Sequence, residues 1–332
     1  MRDIDVVVVT ALRHEHEAVI RAAGARVDRW THHDRDRSTP YLAGTYASGG
    51  RAFTVAVARA TRMGLPAAAS VAASLVERLH PRCLAMSGVC AGNPAEVALG
   101  DVIVADLAFS YGEGKRTAGG LIPDHRHLTM PDSWVRAAQD LSPRGLPSHA
   151  EPTERDSARW LLERLSHTAE PWRHPAWHRY GPWHRVLPAL ESGGLLTWSA
   201  DGAALTPDGR VLVQRERHHT AVRRMPFAVA VGPIASGSAV VDDGRVWRRL
   251  RTSGVRPVLG VELEAAGIAT VAHRLDVPFW AVVKGVADHA DTRKDDRYVP
   301  FAATAAAEVL WRLLADRLLS GRALDRAAAQ TR

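Results

Sequence analysis

Four carboxylates follow closely on segments that read as β-strands. Glu15 comes after the run Asp5 to Thr10, Glu262 and Glu264 after 257–261, and Asp288 after 278–285. In open α/β sheets ligands bind outside the carboxyl ends of strands, so acids there are candidates for proton transfer and for holding polar substrate groups. Any one of them alone reads equally well as a helix N-terminal acid stabilised by the macrodipole. Two small-residue loops also follow strands: Ser87-Gly88-Val89-Cys90-Ala91-Gly92 and Gly232-Pro233-Ile234-Ala235-Ser236-Gly237-Ser238. Small residues let a ligand approach the backbone, but neither loop is a GxGxxG fingerprint or a Walker A phosphate loop.

Sixteen histidines invite a metal site. His14 and His16 lie two apart on an expected helix and so face different sides. His32-His33, His125 with His127, and His218-His219 have no carboxylate or cysteine framework beside them. No metal and no cofactor is expected.

The elements that must position the acids alternate between strand and helix. Asp5 to Thr10 is a continuous β-branched run, the pattern of a strand buried on both faces. Helices are expected at 14–23, from Gly64-Leu65-Pro66 to Leu79, at 262–274 and at 300–320, and strands at 52–59, 83–88, 101–107, 227–234, 257–261 and 278–285. This alternation predicts an α/β fold, a sheet covered by helices on both faces. Its expected parts are residues 1–124 and 226–322.

Between them, 125–225 breaks the pattern and holds six of the ten tryptophans. Helices at 154–167 and 183–193 precede two apolar runs around Ser199-Ala200-Asp201-Gly202, a hairpin signal. A helical, winged-helix-like insert is expected there, overhanging one end of the ligand pocket. Residues 323–332 are expected to be a flexible tail.

With 332 residues, 46% hydrophobic and 24% charged, the composition is that of an ordinary globular chain. No apolar run is long enough to span a bilayer. Cys83 and Cys90 are too few for a disulfide framework, so a cytoplasmic setting is expected. The net charge of +7 comes from arginines interleaved with acids; only Lys115, Lys284 and Lys294 are lysines. Such diffuse charge is not the continuous patch of a nucleic-acid groove, and neither nucleic acid nor membrane is expected as a partner.

Five segments in order carry a resemblance: VVVTALRHEHEAV (7–19), MSGVCAGNPAEVALGDVIVAD (86–106), GPIASGSAVV (232–241), GVELEAAGIA (260–269) and KGVADHAD (284–291). Together they resemble the nucleoside phosphorylase and nucleosidase superfamily, most closely its methylthioadenosine/S-adenosylhomocysteine nucleosidase branch. The resemblance implies a three-layer α/β/α sandwich around a mixed central sheet, and cleavage of the bond between ribose and a purine base by a homodimer or higher homo-oligomer. It implies Asp288 as the general acid on the base, Glu264 on the ribose hydroxyls, Leu263 under the sugar and Glu15 activating water. Glu262, Val89, Cys90, Ala91, Val240, Val241, Met63 and Tyr298 complete the implied substrate lining.

The chain departs from the family pattern at several points. Val89 stands where serine is usual and no arginine lies in 84–89, which favours water over phosphate as the nucleophile; Arg59 and Arg62 are the nearest arginines to the contrary. Val240 replaces a phenylalanine, Ala287 a serine and Lys284 an arginine. A nucleosidase acting on nucleotides such as ATP or AMP, a phosphorylase, and a catalytically quiet nucleoside sensor remain the alternatives.

Overall fold

The computed structural model describes residues 4–33, 39–118, 120–216, 222–242, 244–251, 257–292 and 296–319. The 323–332 tail and His218-His219 lie outside the described residues. In chain order the elements are β1 (Val6–Thr10), α1 (Arg13–Ala23), β2 (Thr31–His33), β3 (Tyr41–Ser48), β4 (Arg51–Arg59), α2 (Leu65–Leu79), β5 (Cys83–Gly92), β6 (Val102–Ser110), β7 (Gly114–Thr117), β8 (Gly120–Pro123), β9 (Leu128–Thr129) and α3 (Asp132–Gln139). They continue with α4 (Glu154–Leu165), α5 (Trp183–Ser192), β10 (Leu196–Ser199), β11 (Gly202–Leu205), α6 (Pro207–Glu216), β12 (Val229–Ser236), α7 (Arg245–Leu250), β13 (Gly260–Glu262), α8 (Ala265–Arg274), β14 (Phe279–Asp288) and α9 (Val299–Leu318).

The main sheet runs in the order β13-β12-β6-β14-β5-β1-β4-β3-β2. Strands β4, β1, β5 and β14 are parallel, so the carboxyl ends of β1, β5 and β14 meet at one edge of the sheet. Beyond β14 the direction reverses, because β6 is antiparallel to it and β12 and β13 follow β6. Strand β13 also pairs antiparallel with the end of β5, Gly260 opposite Gly92 and Val261 opposite Ala91. Five strands therefore close on themselves, and the residues after β13 are turned back towards β5. The sheet is mixed, as the resemblance implied. The hairpin-like additions β2 and β3 were not legible in the sequence.

Helices α2 and α8 cover one face and α1, α3 and α9 the other. All five residues of β1 are buried, as its unbroken β-branched run requires. Helix α9 is apolar nearly all round because it packs on the sheet and on α1 together; its Trp311 ring stacks on Tyr46 at 4.9 Å and donates to the Val19 carbonyl.

The insert begins later than residue 125. Strand β9 pairs with β6, and Met130, Trp134, Ala138, Leu141 and Leu146 belong to the main core. The chain leaves this body near Ala150, whose N–H donates to the Met225 carbonyl at 3.2 Å, so exit and return lie side by side. Between them α4, α5, α6 and the β10–β11 hairpin share a separate core of Leu161, Leu162, Leu165, Val186, Leu190 and Val213. Trp160 stacks on Tyr180 and Trp177 on Trp183 within it. The hairpin closes over Ala200-Asp201, with Gly202 at φ +120° at the start of β11.

Candidate active site

At the strand ends lies a cavity of about 530 Å3, lined by Glu15, Glu262, Glu264 and Asp288 together. Glu15 is the third residue of α1, where a carboxylate can reach back to the N-cap amide. Its Oε2 accepts from the Ala11 and Leu12 N–H groups at 3.0 and 2.8 Å, and its Oε1 from the Val89 N–H at 2.9 Å. The carboxylate thus spans from β1 to the end of β5. Gly88 permits this, since a Cβ there would stand 2.6 Å from Glu15 Oε1 and 3.2 Å from Lys284 Nζ.

The two acids after β13 have different tasks. Glu262 Oε1 accepts from the Ser236 hydroxyl at 2.6 Å, and Oε2 from the Glu264 N–H at 2.9 Å; the Ala265 N–H lies 3.0 Å from both oxygens. Its carboxylate caps α8 and fastens β12 to it, so the helix N-terminal role applies to Glu262 in addition to its place in the cavity wall. Glu264 reaches across the cavity instead. Its Oε1 accepts from the Gly64 N–H at 2.8 Å, an amide aimed by a backbone at φ +110° that favours glycine.

Both acids meet Lys284, whose Nζ lies 2.9 Å from Glu262 and 3.1 Å from Glu264. The lysine is wholly buried. Burial opposes its charge, yet Glu262, Glu264 and Glu15 around it hold the ammonium well above the ordinary lysine value. The pair splits in response. Burial works to raise Glu262, but Lys284 and the hydrogen bonds to it outweigh that and lower it. Burial raises Glu264, and Lys284 only partly offsets it. Sequence reading noted Lys284 only as a departure from arginine. The signal that could have found it is a lone lysine in an otherwise apolar strand.

Asp288 ends β14 just past a register shift against β5 between Val286 and Asp288. Such an irregularity re-aims a side chain, and Asp288 lines the cavity. Its Oδ1 accepts from the Ala290 N–H at 2.8 Å, in a turn where Ala290 takes φ +55°. This turn is anchored from behind: Trp247 donates to the His289 carbonyl, and Gly92 O lies 2.7 Å from His289 Nδ1.

Val89, Cys90, Ala91, Leu263, Val240, Val241 and Met63 also line the cavity, the last with half its surface exposed. The Cys90 thiol is pushed up by burial and so stays protonated. Sequence reading missed His14, Tyr111, Asp296, Val299 and Pro300 as lining residues. Tyr298 is a correction. It is buried beside the insert, its hydroxyl donating to Glu163 at 3.1 Å, and it lines a different cavity. No residue of 125–225 lines the Asp288 cavity among the described residues, so the overhanging insert is corrected as well. The insert does touch the neighbouring turn: the His167 ring sits edge-on to His289 at 6.0 Å. Neither Arg59 nor Arg62, nor any other described arginine, lines the cavity.

Residues 5–153 match the phosphorylase superfamily model. The methylthioadenosine/S-adenosylhomocysteine nucleosidase of Neisseria meningitidis, solved with methylthio-immucillin-A, superposes with a TM-score of 0.56 at 17% identity, covering 93% of this chain and 98% of that one. Futalosine hydrolase of Helicobacter pylori gives 0.58 at 15% identity, over 94% and 98%. The fold is that of the nucleoside phosphorylase and nucleosidase superfamily.

That superfamily is the one the five ordered motifs pointed to. Among curated relatives, an uncharacterised Sinorhizobium fredii protein is 28% identical over 253 residues, 75% of this chain and 46% of the relative. The methylthioadenosine/S-adenosylhomocysteine nucleosidase of Glaesserella parasuis is 35% identical over 91 residues, 26% of this chain and 39% of the relative. The matches span less than half the length of these curated relatives. Among the described residues no helix is long and apolar enough to cross a membrane, and no three His, Cys, Asp or Glu side chains are grouped to hold a metal ion.

Proposed function

We propose that the protein is a nucleosidase that hydrolyses the N-glycosidic bond of a purine nucleoside. The observation that carries this is three carboxylates, each held by different partners, lining one cavity of about 530 Å3. Glycosidic cleavage develops positive charge on the sugar and negative charge on the departing base, so it needs anions by the sugar and an acid by the base. In this reading Asp288 gives its proton to the purine N7 as the C1′–N bond breaks and the electron pair leaves with the base. Water then bonds to C1′ and passes a proton to Glu15. A carboxylate offers about four acceptor sites; three on Glu15 are taken by N–H groups, which leaves one to orient that water.

Glu264, fixed by Gly64 and Lys284, holds the ribose hydroxyls. The base lies against Val89, Cys90 and Ala91, with Val240 and Val241 opposite and Leu263 and Met63 towards the sugar. The likeness to nucleosidases solved with nucleoside analogues supports this arrangement. Water is favoured over phosphate because no described arginine lines the cavity.

The test is base release, followed by chromatography, from adenosine, methylthioadenosine, S-adenosylhomocysteine, inosine, AMP and ATP, with and without phosphate. Free base and free ribosyl product, indifferent to phosphate, are expected. Ribose 1-phosphate as the main product would overturn hydrolysis, and no release from the whole panel would overturn the enzyme. Glu15→Gln should abolish turnover while a non-hydrolysable purine nucleoside analogue still binds.

A further inference from the structure

Behind the turn that carries Asp288, the insert and the α/β body meet around a second cavity of about 70 Å3. Its walls include Trp160, Arg164 and His174 from the insert and Leu99, Met225 and His289 from the body. We propose that this cavity binds one small oxyanion, inorganic phosphate or a simple carboxylate, which ties the insert to the body.

Two buried donors point to an acceptor. His174 is 3% exposed, and its Nδ1 accepts from the Ala176 N–H at 3.0 Å, which places the ring proton on Nε2. The ring stays neutral near pH 7, because burial and the nearby Arg164 and Arg179 push it down to about 3. Nε2 has no hydrogen-bond partner among the described residues; the Val97 backbone favours a proton on the ring without meeting hydrogen-bond geometry. Arg164 donates from Nη1 to the Pro94 carbonyl, while its Nε is buried with no partner. Both orphaned atoms are donors.

The charge count at the junction leads to the same class of ligand. Arg159 pairs with Glu216, Arg179 with Asp101 and Arg297 with Glu163. Two carboxylates also stand in the wall, and both are engaged: Glu163 further accepts from the Tyr298 hydroxyl, and Asp156 accepts from the N–H and hydroxyl of Thr153. Among the described residues no carboxylate pairs with Arg164. A half-buried guanidinium without a counter-charge, its Nε buried and unmet, together with the unmet N–H of His174 fits an acceptor carrying negative charge. The space of about 70 Å3 suits an ion of a few heavy atoms.

The experiment is calorimetric titration of the full chain with sodium phosphate and separately with sodium acetate, at ionic strength fixed with chloride. Saturable binding of one ion per chain is expected for at least one of the two, and the one that binds identifies the ion. Arg164→Met should weaken it about tenfold or more, as loss of a hydrogen bond to a charged group implies. Arg164→Lys, which keeps the charge but loses Nε, and His174→Phe should weaken it too, and they carry the test if the methionine variant does not fold. Glu15→Gln should leave it unchanged, which separates this site from the Asp288 cavity and makes the result independent of the proposed reaction. The absence of saturable heat with either anion, meaning that water alone fills the space, overturns the proposal. So does binding that survives all three junction variants, or that is lost in Glu15→Gln.

Discussion

Asp288 is the residue on which the proposed chemistry turns. Replacing it by asparagine keeps the size and a hydrogen-bond donor but removes the transferable proton. Turnover should fall by about 10² to 10⁴, the usual worth of general acid catalysis, with the fold intact by circular dichroism. Turnover near that of the wild type would remove Asp288 from its role.

Lys284 should behave differently, because its task is to hold two buried acids. Lys284→Met leaves Glu262 and Glu264 without their cation, and breaking a buried pair on one side costs about 3–5 kcal/mol. The pH dependence follows from the sign of the shift. Without the lysine both folded carboxyls bind protons more tightly than in the unfolded chain, so their stabilising protonated form is lost as pH rises through the raised folded values. The deficit of Lys284→Met, measured by denaturant unfolding, should therefore shrink on acidification towards pH 4. A deficit that does not change with pH would show that the loss comes from packing.

At the scale of elements, the insert has an acid-sensitive member. His174 is buried and neutral, held near 3 against an ordinary 6.5, chiefly by burial. The unfolded chain binds a proton between those values and the folded chain does not, so this residue's contribution is present above about 6.5 and falls as pH drops towards 3. The slope is at most about 1.4 kcal/mol per pH unit. In chloride buffer His174→Phe should show a shallower loss of unfolding midpoint between pH 6.5 and 4 than the wild type. Equal slopes would mean that this histidine is protonated in the fold. The elements themselves were largely legible. The β-branched run of β1, the proline-started α2 and the apolar α9 carry their periods openly. Helix α6, by contrast, opens on Pro207-Asp208-Gly209, which reads as a turn; Thr206 fixes it by accepting from the Gly209 N–H. Strands β2 and β3 have no strong alternation of their own, and it is pairing with β4 that makes them strands.

For the whole molecule, the side-by-side exit and return at Ala150 and Met225 mean that the insert can be removed without stretching the body. Replacing 152–223 with a short flexible linker should give a folded protein with a lower melting temperature. The Asp288 cavity keeps all its described lining in that variant, so base release should stay within about tenfold and keep its order of preference among substrates. A changed preference would restore the insert as a lid. Asp101 should tolerate the loss of Arg179, because the Ala98 and Ala228 N–H groups still donate to it. Removing 130–222 instead should unfold the chain, since Met130, Trp134 and Ala138 would leave the main core.

The sequence by itself determined the alternating α/β framework, the resemblance that pointed to the fold, and which four acids stand at strand ends, because local periodicity and ordered motifs are written in neighbouring residues. Tertiary structure alone decided how those acids divide their work. Glu262 and Glu264 are two residues apart and alike in sequence. One caps α8 and the other crosses to Gly64 only because β13 folds back onto β5 and because β14, in register with β5, sets Lys284 opposite Gly88. Tyr298 was drawn away from the cavity by Glu163, 135 residues earlier, whose carboxylate takes its hydroxyl. Hydrogen bonds and ion pairs of that span depend on where a closed sheet and an inserted core bring the chain together, and no local pattern encodes it.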